Sequence, residues 1–170
     1  MIKVVLTGPE STGKTSLAKL LAKEFNTLWV PEYARSFLHR RQNTYCYEDL
    51  FTISESQLIL EDSVADQVNS GILFCDTDLI TIQIWAEYRF NKCPKWIGQE
   101  IINRKYHLHL LCDIDIPWID DPLRENPMER KELLKYHKDV LDFYNKDYYL
   151  IQGSLDERLK QVKKILKSKY

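Results

Sequence analysis

Hydrophobic and polar positions along the 170-residue chain follow two alternating periods. Short apolar or β-branched runs occupy residues 2–7, 28–30, 72–75, 107–112 and 148–151, each bounded by Gly, Pro, Asn or Asp. Continuous runs of this length predict strands, the most apolar of them buried on both faces. Between them apolar residues return every three or four positions, the period of a helix with one buried side. Helices are predicted over residues 14–25, with Leu17, Leu20, Leu21 and Phe25 on one face, and over 32–41, 47–69, 79–90, 97–104, 127–145 and 155–167. In the segment 47–69, Phe51, Leu58, Ile59, Val64 and Val68 recur on the apolar faces, and Ser70-Gly71 supplies the stop. Strand and helix alternate throughout, which predicts an α/β protein with one parallel sheet between two layers of helices. No repeat, low-complexity stretch or linker interrupts this pattern, so residues 1–170 are expected to form a single domain.

The first strand runs directly into Gly8-Pro9-Glu10-Ser11-Thr12-Gly13-Lys14-Thr15, followed by the helical segment that begins at Ser16. These eight residues fit G-x-x-x-x-G-K-[ST], and the strand before and helix after supply the context that makes the motif specific. The glycines let the backbone curl with its N–H groups inward, and the helix adds the positive end of its dipole. Lys14 can reach the β- and γ-phosphates of a nucleoside triphosphate, and the Thr15 hydroxyl can ligate Mg²⁺. A P-loop NTPase with a five-stranded sheet in the order 2-3-1-4-5 is expected, and ATP and Mg²⁺ are the expected cofactors.

Composition narrows the picture further. Hydrophobic residues make up 44% and charged residues 29%, and the formal net charge is −1, which argues against a broad basic surface for nucleic acid. No run approaches the ~20 apolar residues of a membrane span, and no signal peptide precedes the first strand, so a cytoplasmic protein is expected. Cys46, Cys75, Cys93 and Cys112 form no C-x-x-C pair and are read as core filling. His107 and His109, two apart on a strand, are read as structural or surface residues because no third ligand is evident.

Three further clusters lie where strands end, the edge at which open parallel sheets bind ligands. Glu32-Tyr33-Ala34-Arg35 follows the second strand and brings a carboxylate, an aromatic ring and a guanidinium together. Asp76-Thr77-Asp78 follows the third. Asp76 there has the Walker-B position, orienting Mg²⁺ or its water, while Asp78 reads either as the cap of the next helix or as a substrate contact. Trp85 and Tyr88 on that helix read as core or groove lining. After the fourth strand, residues 113–127 combine prolines, acids and Arg124, with Arg130 beyond. Residues 117–130 suit a lid whose arginines close over the triphosphate, or else a plain surface loop.

Four runs in this order resemble the ribosylnicotinamide kinase domain of the bacterial NAD-biosynthesis regulator and its stand-alone relatives. They are Gly8 to Thr15, Pro31-Glu32-Tyr33-Ala34-Arg35, Phe74-Cys75-Asp76-Thr77-Asp78-Leu79-Ile80-Thr81, and Pro117-Trp118-Ile119-Asp120-Asp121-Pro122-Leu123-Arg124. The resemblance implies a nucleoside-kinase-like fold that passes the γ-phosphoryl of ATP to the ribose 5′-hydroxyl of nicotinamide riboside, giving nicotinamide mononucleotide. Helix-turn-helix and nucleotidyltransferase modules of the larger regulators do not fit in this length, and no His-x-Gly-His run is present, so adenylyl transfer and DNA binding are not expected. The alternatives are a P-loop ATPase of regulatory role and a kinase for another nucleoside. On the kinase reading, Glu32 or Asp76 receives the 5′-hydroxyl proton, and Tyr33 and Trp118 offer faces to the cationic pyridinium ring. Arg35 and Arg124 steady the moving phosphoryl group, Arg130 closes behind them, and Gly153 borders the adenine. Oligomeric state is left open, a homo-oligomer included.

Overall fold

Side-chain alternation along the first strand sorts the molecule into layers. In the computed structural model, which describes residues 1–68, 71–122 and 124–170, the strands are β1 (Ile2–Thr7), β2 (Trp29–Val30), β3 (Ile72–Asp76), β4 (Leu108–Cys112) and β5 (Tyr148–Ile151). The helices are α1 (Lys14–Glu24), α2 (Tyr33–Arg40), α3 (Tyr47–Ala65), α4 (Leu79–Phe90), α5 (Lys95–Asn103), α6 (Arg130–Phe143) and α7 (Leu155–Lys169). All pairings between these strands are parallel, in the order β2-β3-β1-β4-β5 predicted from the sequence. Val4 and Leu6 point to one face of the sheet, where they pack with Leu17 and Leu21 of α1 and Val162 of α7. Val5, Leu73 and Cys75 point to the other, toward Leu60 and Val64 of α3. A larger cluster on that side joins α3, α4, α5 and α6 through Ile53, Ile80, Ile84, Ile97 and Leu141. Fully burying each such side chain contributes roughly 1.5–3 kcal/mol. No described helix is long and apolar enough to cross a membrane.

Helix α3 departs from its predicted amphipathic face. Phe51 and Ile59 are 45% and 69% exposed, while the buried stripe is Leu50, Ile53, Ser54, Gln57 and Glu61. Its polar members are inside because each meets a partner. Gln57 accepts from the Tyr33 N–H at 2.7 Å and donates to the Pro31 carbonyl at 3.2 Å. Glu61 accepts from Lys3 (2.7 Å), Arg104 (3.1 Å) and the Tyr106 hydroxyl (2.6 Å). The helix is continuous to Ala65; the predicted end at Asn69 and stop at Ser70 lie outside the described residues. Cysteine usage is also corrected. Cys75 and Cys112 are buried, but Cys46 is exposed at the N-terminus of α3, bonded to Asp49, and Cys93 is half-buried. The predicted start of α6 moves from Pro127 to Arg130.

Parallel register brings the strand ends to one edge. Leu6 pairs with Asp76, Thr7 with Leu111 and Val30 with Cys75. The chain therefore leaves β1, β2, β3 and β4 side by side, and the segments after each strand meet above the sheet. Gly8 makes the tightest of these passages, at φ 131°, where an added Cβ would stand 2.7 Å from the Cys112 carbonyl oxygen. Gly8→Ala is accordingly expected to lower the unfolding free energy by about 1–3 kcal/mol, read by denaturant titration; an unchanged midpoint would show that β4 can yield.

Candidate active site

The loop from Gly8 to Thr15 wraps the N-terminus of α1, with Gly13 as the left-handed cap at φ 77°. Ser11 also lies in the left-handed region, at φ 55°, a conformation that costs a non-glycine residue about 1–2 kcal/mol. It is held there from several sides. Its Oγ accepts from the Ile119 N–H at 2.9 Å and from Arg124 at 3.2 Å, and its carbonyl accepts from Arg130 at 3.0 Å. The Lys14 ammonium folds back to donate to the Gly8 and Pro9 carbonyls, both at 2.8 Å. Thr15 donates to Asp76 Oδ2 at 2.6 Å. The other oxygen of that carboxylate, Oδ1, is buried without a hydrogen-bond partner among the described residues. Burial raises the Asp76 pKa, while Lys14 and the Thr15 hydroxyl pull it down.

A cavity of about 430 Å³ opens over this loop. Residues 8–16 form one wall. Glu32, Tyr45, Thr81, Ile84, Trp85 and Tyr88 also line the cavity, as do Arg124, Glu125 and Asn126. Thr81, Ile84, Trp85 and Tyr88 are one helical stripe of α4, which starts at the edge where β3 ends. The Tyr45 ring packs on Trp85 with centroids 4.9 Å apart, and its hydroxyl donates to Glu125 at 2.8 Å while accepting from the Trp85 N–H at 3.1 Å. Gln57 positions Glu32, because its amide clamps the backbone on both sides of it. Burial pushes the Glu32 pKa up and the Asp76 charge adds to this; Lys14 and Arg35 offset part of it.

Residues 113–129 are moored to the phosphate loop and to α2. One Glu10 oxygen accepts from the N–H groups of Glu125 and Asn126, each at 3.0 Å. Arg35 pairs with Asp121 at 2.9 Å, and Asn43 donates to the Pro122 carbonyl at 2.6 Å. The predicted lid residue Leu123 lies outside the described residues.

Several residues singled out in the sequence do not line the cavity. Asp78 is buried beneath it, capping α4 through Ile80 N–H at 3.1 Å and meeting His109 Nε2 at 3.0 Å. His109 is thus a structural partner, and the His107 ring accepts from the Lys3 N–H at 3.1 Å. Tyr33 is half-buried against the α3–α6 cluster and its hydroxyl accepts from Arg40 at 3.1 Å. Trp118 donates to Asp120 at 2.9 Å, and the guanidinium groups of Arg124 and Arg130 lie 5.8 and 5.9 Å from its ring centroid. Arg130 is occupied with the carbonyls of Ser11 and Ile116. Gly153, at φ 91°, gives its N–H to Asp115 and its carbonyl to Arg158, at the rim of a separate small groove with Lys160. The aromatic face of the cavity is instead Tyr45, Trp85 and Tyr88. The α4 stripe was readable from its spacing; Tyr45, in a loop, carried no periodic signal.

Sheet order, phosphate loop and the Asp76 carboxylate beside it define a P-loop fold of the nucleoside and nucleotide kinase type. The chain belongs to the AAA domain family, which matches residues 3–158. It is 27% identical over 162 residues to the trifunctional NAD biosynthesis/regulator protein NadR of Escherichia coli (strain K12), covering 88% of this chain and 38% of that protein. The solved structure of NadR in complex with NR matches with a TM-score of 0.82 at 21% identity, over 98% of this chain and 49% of that one. NadR in complex with NAD and AMP-PNP matches with a TM-score of 0.74 over the same shares, also at 21% identity. Thymidylate kinase from Ehrlichia chaffeensis matches with a TM-score of 0.69 at 15% identity, over 97% and 98% of the two chains. The chain thus spans half or less of the length of NadR.

The raised Glu32 pKa has a consequence for stability. Folding makes the charged carboxylate less favourable, so its cost is absent below the unfolded-state pKa, grows as pH rises, and is complete above the folded-state value. Glu32→Gln is therefore expected to melt above the wild type near neutral pH, with the difference vanishing in acid. Equal melting temperatures at neutral pH would show that Glu32 is not desolvated. Separately, Glu10→Ala removes the acceptor for two backbone N–H groups, and limited proteolysis should cut within residues 117–128 faster than in the wild type; an unchanged cleavage rate would mean that Glu10 does not moor the segment.

Proposed function

We propose that this chain is an ATP-dependent small-molecule kinase that phosphorylates the ribose 5′-hydroxyl of nicotinamide riboside, giving nicotinamide mononucleotide and ADP. The observation that carries the reading is that the phosphate loop and Glu32 line one cavity together with the rings of Tyr45, Trp85 and Tyr88. The likeness to NadR bound to NR, and the kinase fold, support the choice of acceptor. Residues 1–170 then form one kinase domain, with 117–130 as its lid.

In this mechanism the N–H groups of residues 10–15 and the Lys14 ammonium bind the triphosphate, Lys14 leaving the carbonyls it now holds. Thr15 and Asp76 fit Mg²⁺, since both offer oxygen donors and Asp76 Oδ1 is buried without a partner among the described residues. Mg²⁺ would supply charge neutralisation at the β- and γ-phosphate oxygens. The 5′-oxygen bonds to the γ-phosphorus as the bond to the β–γ bridging oxygen breaks, and the hydroxyl proton passes to Glu32. Glu32 is preferred over Asp76 because it lines the cavity, whereas Asp76 is engaged with Thr15. Transfer is largely dissociative, so Glu32 acts mainly by aligning the hydroxyl. Arg124, and Arg35 from α2, steady the phosphoryl group as it moves. Tyr45, Trp85 and Tyr88 offer π faces to the cationic pyridinium ring.

ATP consumption with and without nicotinamide riboside, with product masses, tests the assignment. A riboside-dependent rate and a gain of one phosphate on the riboside are expected. Hydrolysis indifferent to any nucleoside would make the protein an ATPase, and transfer to a different nucleoside would reassign the acceptor. Lys14→Ala should lower turnover by at least about a hundredfold. The acidic limb of the kcat/KM profile should fall with an apparent pKa above the ordinary glutamate range, and Glu32→Gln should remove that limb.

A further inference from the structure

We propose that Arg158 is a positioning residue that holds the phosphate loop in its anion-binding conformation, with Arg130 as its counterpart on the neighbouring peptide. Arg158 touches none of the cavity, yet it is 2% exposed and its donors converge on three segments. Nη1 donates to the Thr12 carbonyl at 2.7 Å, Nε to the Gly153 carbonyl at 2.8 Å, and Nη2 to the Asp113 carbonyl at 3.2 Å and to the Asp115 carboxylate. Arg130 does the equivalent one residue earlier, binding the Ser11 carbonyl at 3.0 Å and the Ile116 carbonyl at 3.1 Å.

The direction of a carbonyl fixes the direction of the next amide. A planar trans peptide sets C=O and the following N–H on opposite sides. Arg130 on the Ser11 carbonyl therefore turns the Thr12 N–H away from itself, and Arg158 on the Thr12 carbonyl does the same for Gly13. Both Thr12 and Gly13 line the cavity. The loop thus presents adjacent donors before any phosphate arrives, and binding does not have to reorganise it.

Local energetics do not account for an arginine at this place. Arg158 lies in the first turn of α7, close behind the Ser154 cap, where the helix dipole is positive and disfavours a cation. Burying a guanidinium is costly as well, and its carboxylate partner Asp115 is itself partly exposed. Its bonds to the three loop segments are what offset both costs. The proposal rests on the nucleotide reading of the cavity, and deepens it.

The test compares Arg158→Met and Arg158→Lys with wild type in the full chain, using calorimetric affinity for ATP, for inorganic triphosphate and for adenosine. Both variants are expected to bind ATP and inorganic triphosphate about ten- to a hundredfold more weakly, the scale of a lost charge-assisted hydrogen bond, with adenosine affinity unchanged. In ¹⁵N-labelled protein, the Gly13 amide should shift downfield with triphosphate in the wild type and fail to do so in the variants. Added methylguanidinium should restore part of the affinity of Arg158→Met. Wild-type triphosphate affinity in a folded variant, or an equal loss for adenosine and triphosphate, would overturn the proposal. If Arg158→Met does not fold, Arg158→Lys carries the comparison; failure of both to fold would make Arg158 a structural staple and also overturn it. Absence of triphosphate binding by the wild type would instead remove the nucleotide reading itself.

Discussion

The carbonyl oxygens of Ser11 and Thr12 in the phosphate loop are bonded by arginines from outside the cavity, and the rest of the structure depends on that. Gly8 and Pro9 are held by Lys14, Pro9 also by the Thr12 hydroxyl, Ser11 by Arg130, Thr12 by Arg158, and Gly13 by the Leu17 N–H. A buried peptide must satisfy both its polar groups, so fixing the carbonyls commits the N–H groups to whatever anion enters. The partners come from α1, α6 and α7, helices on both faces of the sheet. Parallel pairing of β1 with β3 and β4 is what brings these elements within reach of one eight-residue loop.

The same edge sets up an electrostatic contrast in the cavity. On the loop side stand an ammonium, a helix N-terminus and Arg124. In the same cavity stands Glu32, whose pKa is raised by burial and by the nearby Asp76. A carboxylate in that position weakens the fold at neutral pH and is a better proton acceptor for the same reason. Gln57 and the turn at Pro31 keep it there. Residues 113–129 are tied to the loop by Glu10 and Ser11 and to α2 through Arg35.

Strands, helices, sheet order and the phosphate loop were legible in the chain because each is written in local period or spacing. Asp76 was singled out by its place at the end of an apolar run, and the structure sets it against the Thr15 hydroxyl. The aromatic lining of the cavity was less legible. Tyr33 and Trp118 are neighbours of site residues in sequence, but Tyr33 packs against the α3–α6 cluster and Trp118 lies near Arg124 and Arg130, and neither lines the cavity. The ring wall comes from α4, whose stripe is visible in spacing, and from Tyr45, whose position depends on how a loop packs. Asp78 could be a cap or a ligand on sequence alone; in the structure it caps α4 through the Ile80 N–H and meets His109, 31 residues away. Arg158 reads as one more charge on a lysine-rich helix, since its partners lie in three loops remote in sequence. Buried Gln57 and Glu61 escaped the hydrophobic pattern because partners, rather than polarity, decide what an interior tolerates.

The central claim is that one cavity holds triphosphate and riboside end to end. Its most direct test is inhibition by a bisubstrate compound joining the 5′-oxygens of adenosine and nicotinamide riboside through four phosphates. Competition with both ATP and the riboside, at an affinity beyond either alone, is the result the account predicts. Competition with ATP only, with the riboside half adding no affinity, would contradict it.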